Sequence, residues 1–113
     1  MTNPFIPLSL DGECKQSELT VRLGPKELLS QLTEDCGELI QAAQKMRRVL
    51  AGTTKVSRDK AMRDLTEEAA DVVLILDMLT ELRLVDRAGA RFIGRYKTER
   101  WFKRTFFPDW PEE

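Results

Sequence analysis

The chain of 113 residues contains no histidine. That removes the commonest zinc ligand and the commonest general base, so any catalysis has to rest on carboxylates, lysine or arginine, tyrosine or a hard metal ion. Cysteine is nearly absent: Cys14 and Cys36 are the only two and form no CxxC pair. This argues against a disulfide framework or a zinc site and makes a reduced, cytoplasmic protein the default expectation. No run approaches the roughly 20 apolar residues needed to cross a bilayer. The opening MTNPFIPLSLDGE carries acids and two prolines where a signal peptide needs an apolar core. Neither charge sign dominates, with 18 basic residues against 19 acidic and a net charge of -1. The net charge therefore calls for no nucleic-acid and no membrane partner, and any basic function has to be local. Strand-like alternation is missing apart from the short TVRL at Thr20 to Leu23, and no internal repeat stands out.

What the chain does have is helical periodicity. After Gly24-Pro25, apolar residues recur at three- and four-residue steps from Leu28 to Leu50 and stop at Gly52, which predicts an amphipathic helix of about seven turns. Ser57 can cap a second helix reaching about Leu84, its first turns near Arg58 to Arg63 standing as a possible separate turn. Asp86 can cap a third, from Arg87 to Thr105, with Phe92, Ile93 and Tyr96 facing inward and Pro108 beyond its end. The organisation expected is an extended arm over residues 1–24, a helical domain over 25–107 and a tail over 108–113. A chain this short buries only about two thirds of its unfolded surface, so the helices are expected to complete their core by oligomerisation.

Acidic residues stand beside the most apolar segments. LTEDCGELIQ holds Glu34, Asp35 and Glu38, and DLTEEAAD runs straight into VVLIL. At about 100° per residue, Asp35 falls at the edge of the first helix's apolar stripe, while Glu34 and Glu38 point largely away. Glu68 falls inside the sector of Leu65, Val72, Ile75 and Leu79, with Asp71 on its border. An ionised carboxylate there needs a cation, hydrogen bonds or a shifted pKa. If the two helices pack antiparallel, Asp35, Glu38, Glu68 and Asp71 form an oxygen cage. Oxygen ligands without histidine or thiolate favour Mg²⁺, with Mn²⁺ as a substitute.

The pattern EDCGEL followed by EEAADVV resembles the EExxE and ExxD motifs of the MazG-like, all-α nucleoside triphosphate pyrophosphohydrolases. The likeness covers roughly Leu28 to Arg104 and takes in YKTERW, which is similar to the basic last helix of short phage and bacterial members. The resemblance implies an antiparallel helical bundle and makes Asp35, Glu38, Glu68 and Asp71 the magnesium ligands, Asp35 standing where Glu is usual. It casts Glu34 as a water-orienting base or supporting group, with Glu38 sharing the catalytic role. The implied reaction cleaves a nucleoside triphosphate to a monophosphate and pyrophosphate in a homodimer or homotetramer. Lys97 and Arg100 are candidates for phosphate contacts, then Lys45 and Arg48; Trp101, Phe102 or Phe5 are candidates for base stacking. Two other readings compete. One is a non-catalytic helical interaction module or nucleotide-binding protein; the other is a structural dimer in which Glu68 pairs with Arg63 or Arg91.

Overall fold

The computed structural model describes residues 8–111, so Phe5 lies outside the described residues. Three helices account for nearly all of them: α1 (Leu8–Ala51), α2 (Arg58–Glu81) and α3 (Arg87–Phe106), with no strand among the described residues.

The break expected at Gly24-Pro25 is present, but helix continues on both sides of it. Gly24 has φ 79° and ψ 173°, a region essentially restricted to glycine. Pro25 reinforces the break, because its ring disfavours the α conformation in the residue before it while its own fixed φ suits the first turn of a helix. The segment expected as an extended arm is therefore corrected: from Leu8 to Leu23 it is helical. It is tied down at its far end by Thr20 and Ser17, both bonded to Glu81. Thr20 is 2% exposed, and its hydroxyl lies 3.0 Å from Glu81 Oε2 and 2.8 Å from the Gln16 carbonyl oxygen, donating to one of them at a time. TVRL thus belongs to a helix.

α1 ends at Gly52, whose φ of 72° suits a left-handed cap; Gly52 N donates to Val49 O and Thr53 N to Arg48 O. Ser57 caps α2, accepting from Lys60 N at 3.2 Å, and no separate turn interrupts Arg58 to Arg63. α2 stops at Glu81, three residues short of the expected Leu84. The chain turns at Arg83, a non-glycine residue at φ 61°, with Leu84 N bonded back to Leu79 O. Asp86 caps α3 as expected, accepting from Gly89 N at 3.0 Å.

α1 and α2 pack as an antiparallel hairpin. Its register can be followed from Thr20 opposite Glu81, through Asp35 opposite Asp71, to Lys45 opposite Asp64. Leu28, Ile75, Met78 and Leu79 form the buried core beneath Leu32, Leu82 and Val85. α3 makes no comparable packing with either helix and has no buried residue. The expectation that Phe92, Ile93 and Tyr96 face inward is corrected accordingly; within one chain all three are exposed. The radius of gyration is 18.6 Å, against about 13 Å for a compact domain of this length. Leu74, Val73 and Leu76 on α2, and Leu29 and Ile40 on α1, are likewise exposed.

Candidate metal and phosphate site

The acidic residues meet midway along the α1–α2 groove. Asp35 and Glu38 are one turn apart on α1, and the antiparallel register sets Asp71 of α2 against them. Carboxylate oxygens of these three residues all lie within 4.8 Å of one another. Asp35 is buried, at 6% exposure, and is held by Gln31 Nε2, which donates to its Oδ1 at 2.9 Å. Glu38 and Asp71 reach solvent.

Glu68, one turn before Asp71, is half-buried. Its Oε2 is fully enclosed and has no hydrogen-bond partner. Burial pushes the Glu68 carboxyl above the usual carboxylate range; Glu38 within hydrogen-bonding reach raises it further, followed by the negative charges of Glu38, Asp71 and Glu67. Among the described residues Glu68 forms no ion pair. Neither Arg63 nor Arg91 pairs with it within one chain.

These observations fit a hard cation. Six oxygens at about 2.1 Å from an ion stand roughly 3 to 4 Å from one another, so small side-chain rotations would bring Asp35, Glu38 and Asp71 to that spacing. Glu68 stands outside this group of three, one turn before Asp71, with an enclosed oxygen that has no hydrogen-bond partner. The donor set is all oxygen, as magnesium or manganese prefers.

Along the groove from the acids, Glu38, Glu68, Lys45, Arg48 and Asp64 line a cleft of about 660 Å³, within the usual size range of small-molecule sites. Lys45 Nζ pairs with Asp64 Oδ2 at 3.2 Å, and Lys60 Nζ pairs with the same oxygen at 3.1 Å. Hydrogen bonds from Lys60 and then Lys45 pull the Asp64 carboxyl below its ordinary range. Asp64 is a member of this cleft that sequence reasoning passed over. The available signal was its position four residues before Glu68, on the same helical face.

The other expected residues are distributed unevenly. Lys45 and Arg48 share the cleft with Glu38 and Glu68, whereas Asp35 and Asp71 do not line it. Glu34 is exposed on α1 and stands outside the clustered carboxylates. Lys97, Arg100 and Trp101 line a separate depression on α3 and are not brought to the acids within one chain. Phe102 packs with Phe106 at a ring-centroid distance of 4.9 Å, also on α3. Comparison with family models, curated proteins and solved structures finds no match. Among the described residues, no helix is long and apolar enough to cross a membrane.

Proposed function

We propose that the protein is a magnesium-dependent nucleoside triphosphate pyrophosphohydrolase of the MazG-like type. The observation that carries this reading is the junction, in one groove, of an oxygen-only carboxylate group with a cleft that also holds Lys45 and Arg48. Acids alone accompany many solvated helices. Acids that share a cleft with Lys45 and Arg48, one of them enclosed and unpartnered, match a ligand that brings both metal and phosphate.

In this reading Asp35, Glu38, Glu68 and Asp71 hold the ion, with Mn²⁺ able to substitute. Such an ion supplies neutralisation of phosphate oxygens and acidification of an attacking water. Lys45 and Arg48 bind and orient the phosphate chain through charge-assisted hydrogen bonds. Lys45 exchanges its contact with Asp64 for one with the substrate, while Lys60 keeps Asp64 paired. Glu38 accepts the proton of the attacking water, a role its exposure to solvent and its nearness to Glu68 support. Glu34, exposed and one turn away, serves as a supporting group at most. Cleavage between the α and β phosphates releases a monophosphate and pyrophosphate.

The active species is a homo-oligomer, a dimer or a dimer of dimers. Exposed apolar side chains on α1, α2 and α3 and the large radius of gyration support this assembly. The decisive experiment screens canonical and modified triphosphates for pyrophosphate release with and without Mg²⁺. Metal-dependent release of pyrophosphate, rather than orthophosphate, is the expected result; binding of a non-hydrolysable triphosphate with no turnover across the panel would instead identify a nucleotide-binding protein.

A further inference from the structure

Acidic side chains outnumber cations in the cleft along the α1–α2 groove. Glu38, Asp64 and Glu68 line it against Lys45 and Arg48, and Asp35 and Asp71 gather around Glu38. An anion entering alone meets like charges at short range and has only two cations to hold it. One of the two is already engaged, since Lys45 Nζ lies 3.2 Å from Asp64 Oδ2. Among the described residues Arg48 forms no ion pair, but a single guanidinium faces three carboxylates across the same cleft.

Asp64 is held from two helices. Lys60, one turn earlier on α2, spans both of its oxygens, with Nζ 3.4 Å from Oδ1 and 3.1 Å from Oδ2. Lys45 of α1 reaches the same Oδ2 from across the groove. Hydrogen bonds from Lys60 and then Lys45 keep the carboxyl below its ordinary range, so Asp64 is ionised at neutral pH. The Lys45 and Asp64 side chains are 35% and 28% exposed, and pairs this accessible contribute little to stability. The consequence of the pair lies in where it puts Lys45. Because Lys60 does not line the cleft and stays with Asp64, Lys45 can leave without stranding the carboxylate. Asp64 and an incoming phosphate therefore compete for one ammonium group, with Glu38 and Glu68 weighing against the phosphate. A phosphate chain that arrives with a divalent cation brings a partner for those two acids while its own oxygens replace Asp64 at Lys45. A chain that arrives bare brings none.

Resting on the proposal that this cleft takes a phosphate chain, we infer that Asp64 is a specificity-determining residue: by holding Lys45 beside Glu38 and Glu68, it restricts the cleft to divalent-metal complexes of polyphosphates and turns away the metal-free anion. Removing the charge of Asp64 frees Lys45 and Lys60 together and opens the cleft to bare anions. A purely structural role for Asp64 predicts no such gain.

The test is calorimetric titration of the full-length protein with inorganic pyrophosphate, once in Mg²⁺ and once in EDTA. Pyrophosphate carries no base and is not consumed by cleavage between α and β phosphates. The parent is expected to bind it at least about tenfold more tightly with Mg²⁺ than without. Asp64→Asn should strengthen metal-free binding about tenfold or more, the scale of one charge-assisted hydrogen bond gained, and so narrow the ratio between the two conditions. Asp64→Glu, which keeps the charge, should keep the parent's ratio. Equal parental affinity in Mg²⁺ and EDTA overturns the inference. So does an Asp64→Asn protein whose metal-free affinity matches the parent's, or one that loses affinity equally in both conditions, as a damaged fold would. Any of these results beside metal-dependent pyrophosphate release from triphosphates removes the role of Asp64 and leaves the proposed function standing. Absence of binding in both conditions also overturns the inference, and it removes the proposed function with it only if the triphosphate panel releases no pyrophosphate.

Discussion

Lys45 Nζ stands 3.2 Å from Asp64 Oδ2 across the α1–α2 groove, in the cleft that also contains Glu38 and Glu68. Lys45 is thus held beside Glu38 and Glu68 by a carboxylate that has a second partner in Lys60. On the proposed function, replacing Lys45 by Met would remove a charge-assisted contact with substrate phosphate worth about 1.5 to 3 kcal/mol, while Asp64 keeps Lys60. Steady-state pyrophosphate release should show KM raised about tenfold or more, with a smaller change in kcat. An unchanged KM would remove Lys45 from the substrate site.

Glu68→Gln should abolish magnesium-dependent turnover and leave the apo fold equally or more stable at neutral pH. The sign follows from burial and then the neighbouring acids, which hold the folded-state pKa of Glu68 above its ordinary value. The native state therefore binds the proton more tightly than the unfolded chain. Ionisation makes stability fall as pH rises from the ordinary carboxylate value through the raised one, and the penalty is fully present above it. The Gln variant lacks this loss, so its advantage over the parent should be largest at neutral pH and shrink on acidification. Thermal melts of both proteins across this range test the sign directly. A companion variant, Asp35→Glu, should retain activity if Asp35 is a ligand.

Magnesium itself should stabilise the fold. Binding to the native state alone stabilises by mass action, and at Asp35, Glu38, Glu68 and Asp71 it would also relieve the repulsion among the acids. Millimolar Mg²⁺ should raise Tm at neutral pH, and the increment should diminish as pH falls and protons compete for Glu68. Melting curves insensitive to Mg²⁺ and Mn²⁺, with no triphosphate binding, would favour the interaction-module reading.

Assembly has its own measurement. Val73, Leu74 and Leu76 of α2 are exposed in the single chain although they lie beside the buried Ile75. Sedimentation at micromolar concentration should find a dimer or tetramer and no stable monomer. A cooperatively folded monomer would show that these side chains are tolerated in water.

Gly24→Ala tests the break in α1. A Cβ at this position meets nothing within 4 Å, so the cost is that of the backbone at φ 79° and not of a clash. Chemical denaturation should show a loss of about 1 to 3 kcal/mol. A neutral substitution would mean that the two parts of α1 can realign without cost.

Much of the fold was encoded within a few residues at a time, and so could be read from the chain alone. Three- and four-residue spacing marked the helices, the side chains of Ser57 and Asp86 set two starts, and Gly24-Pro25 set a break, because each of these acts within one turn. The pairing of Asp35 and Glu38 with Asp71 was also accessible, since one antiparallel register places them together. The helix from Leu8 to Leu23 was not, because Thr20 and Ser17 are anchored by Glu81 from across the hairpin. Nor did the periodicity of α3 reveal that Phe92 and Tyr96 would lie exposed, since spacing fixes which side chains share a face and not what that face meets. The cleft uniting Lys45, Asp64 and Glu68 likewise arose only when two helices were brought side by side. Local sequence determined the helices and their caps; contacts between residues far apart in the chain decided which acids lost solvent, which cations reached them, and which helix was left with no buried residue.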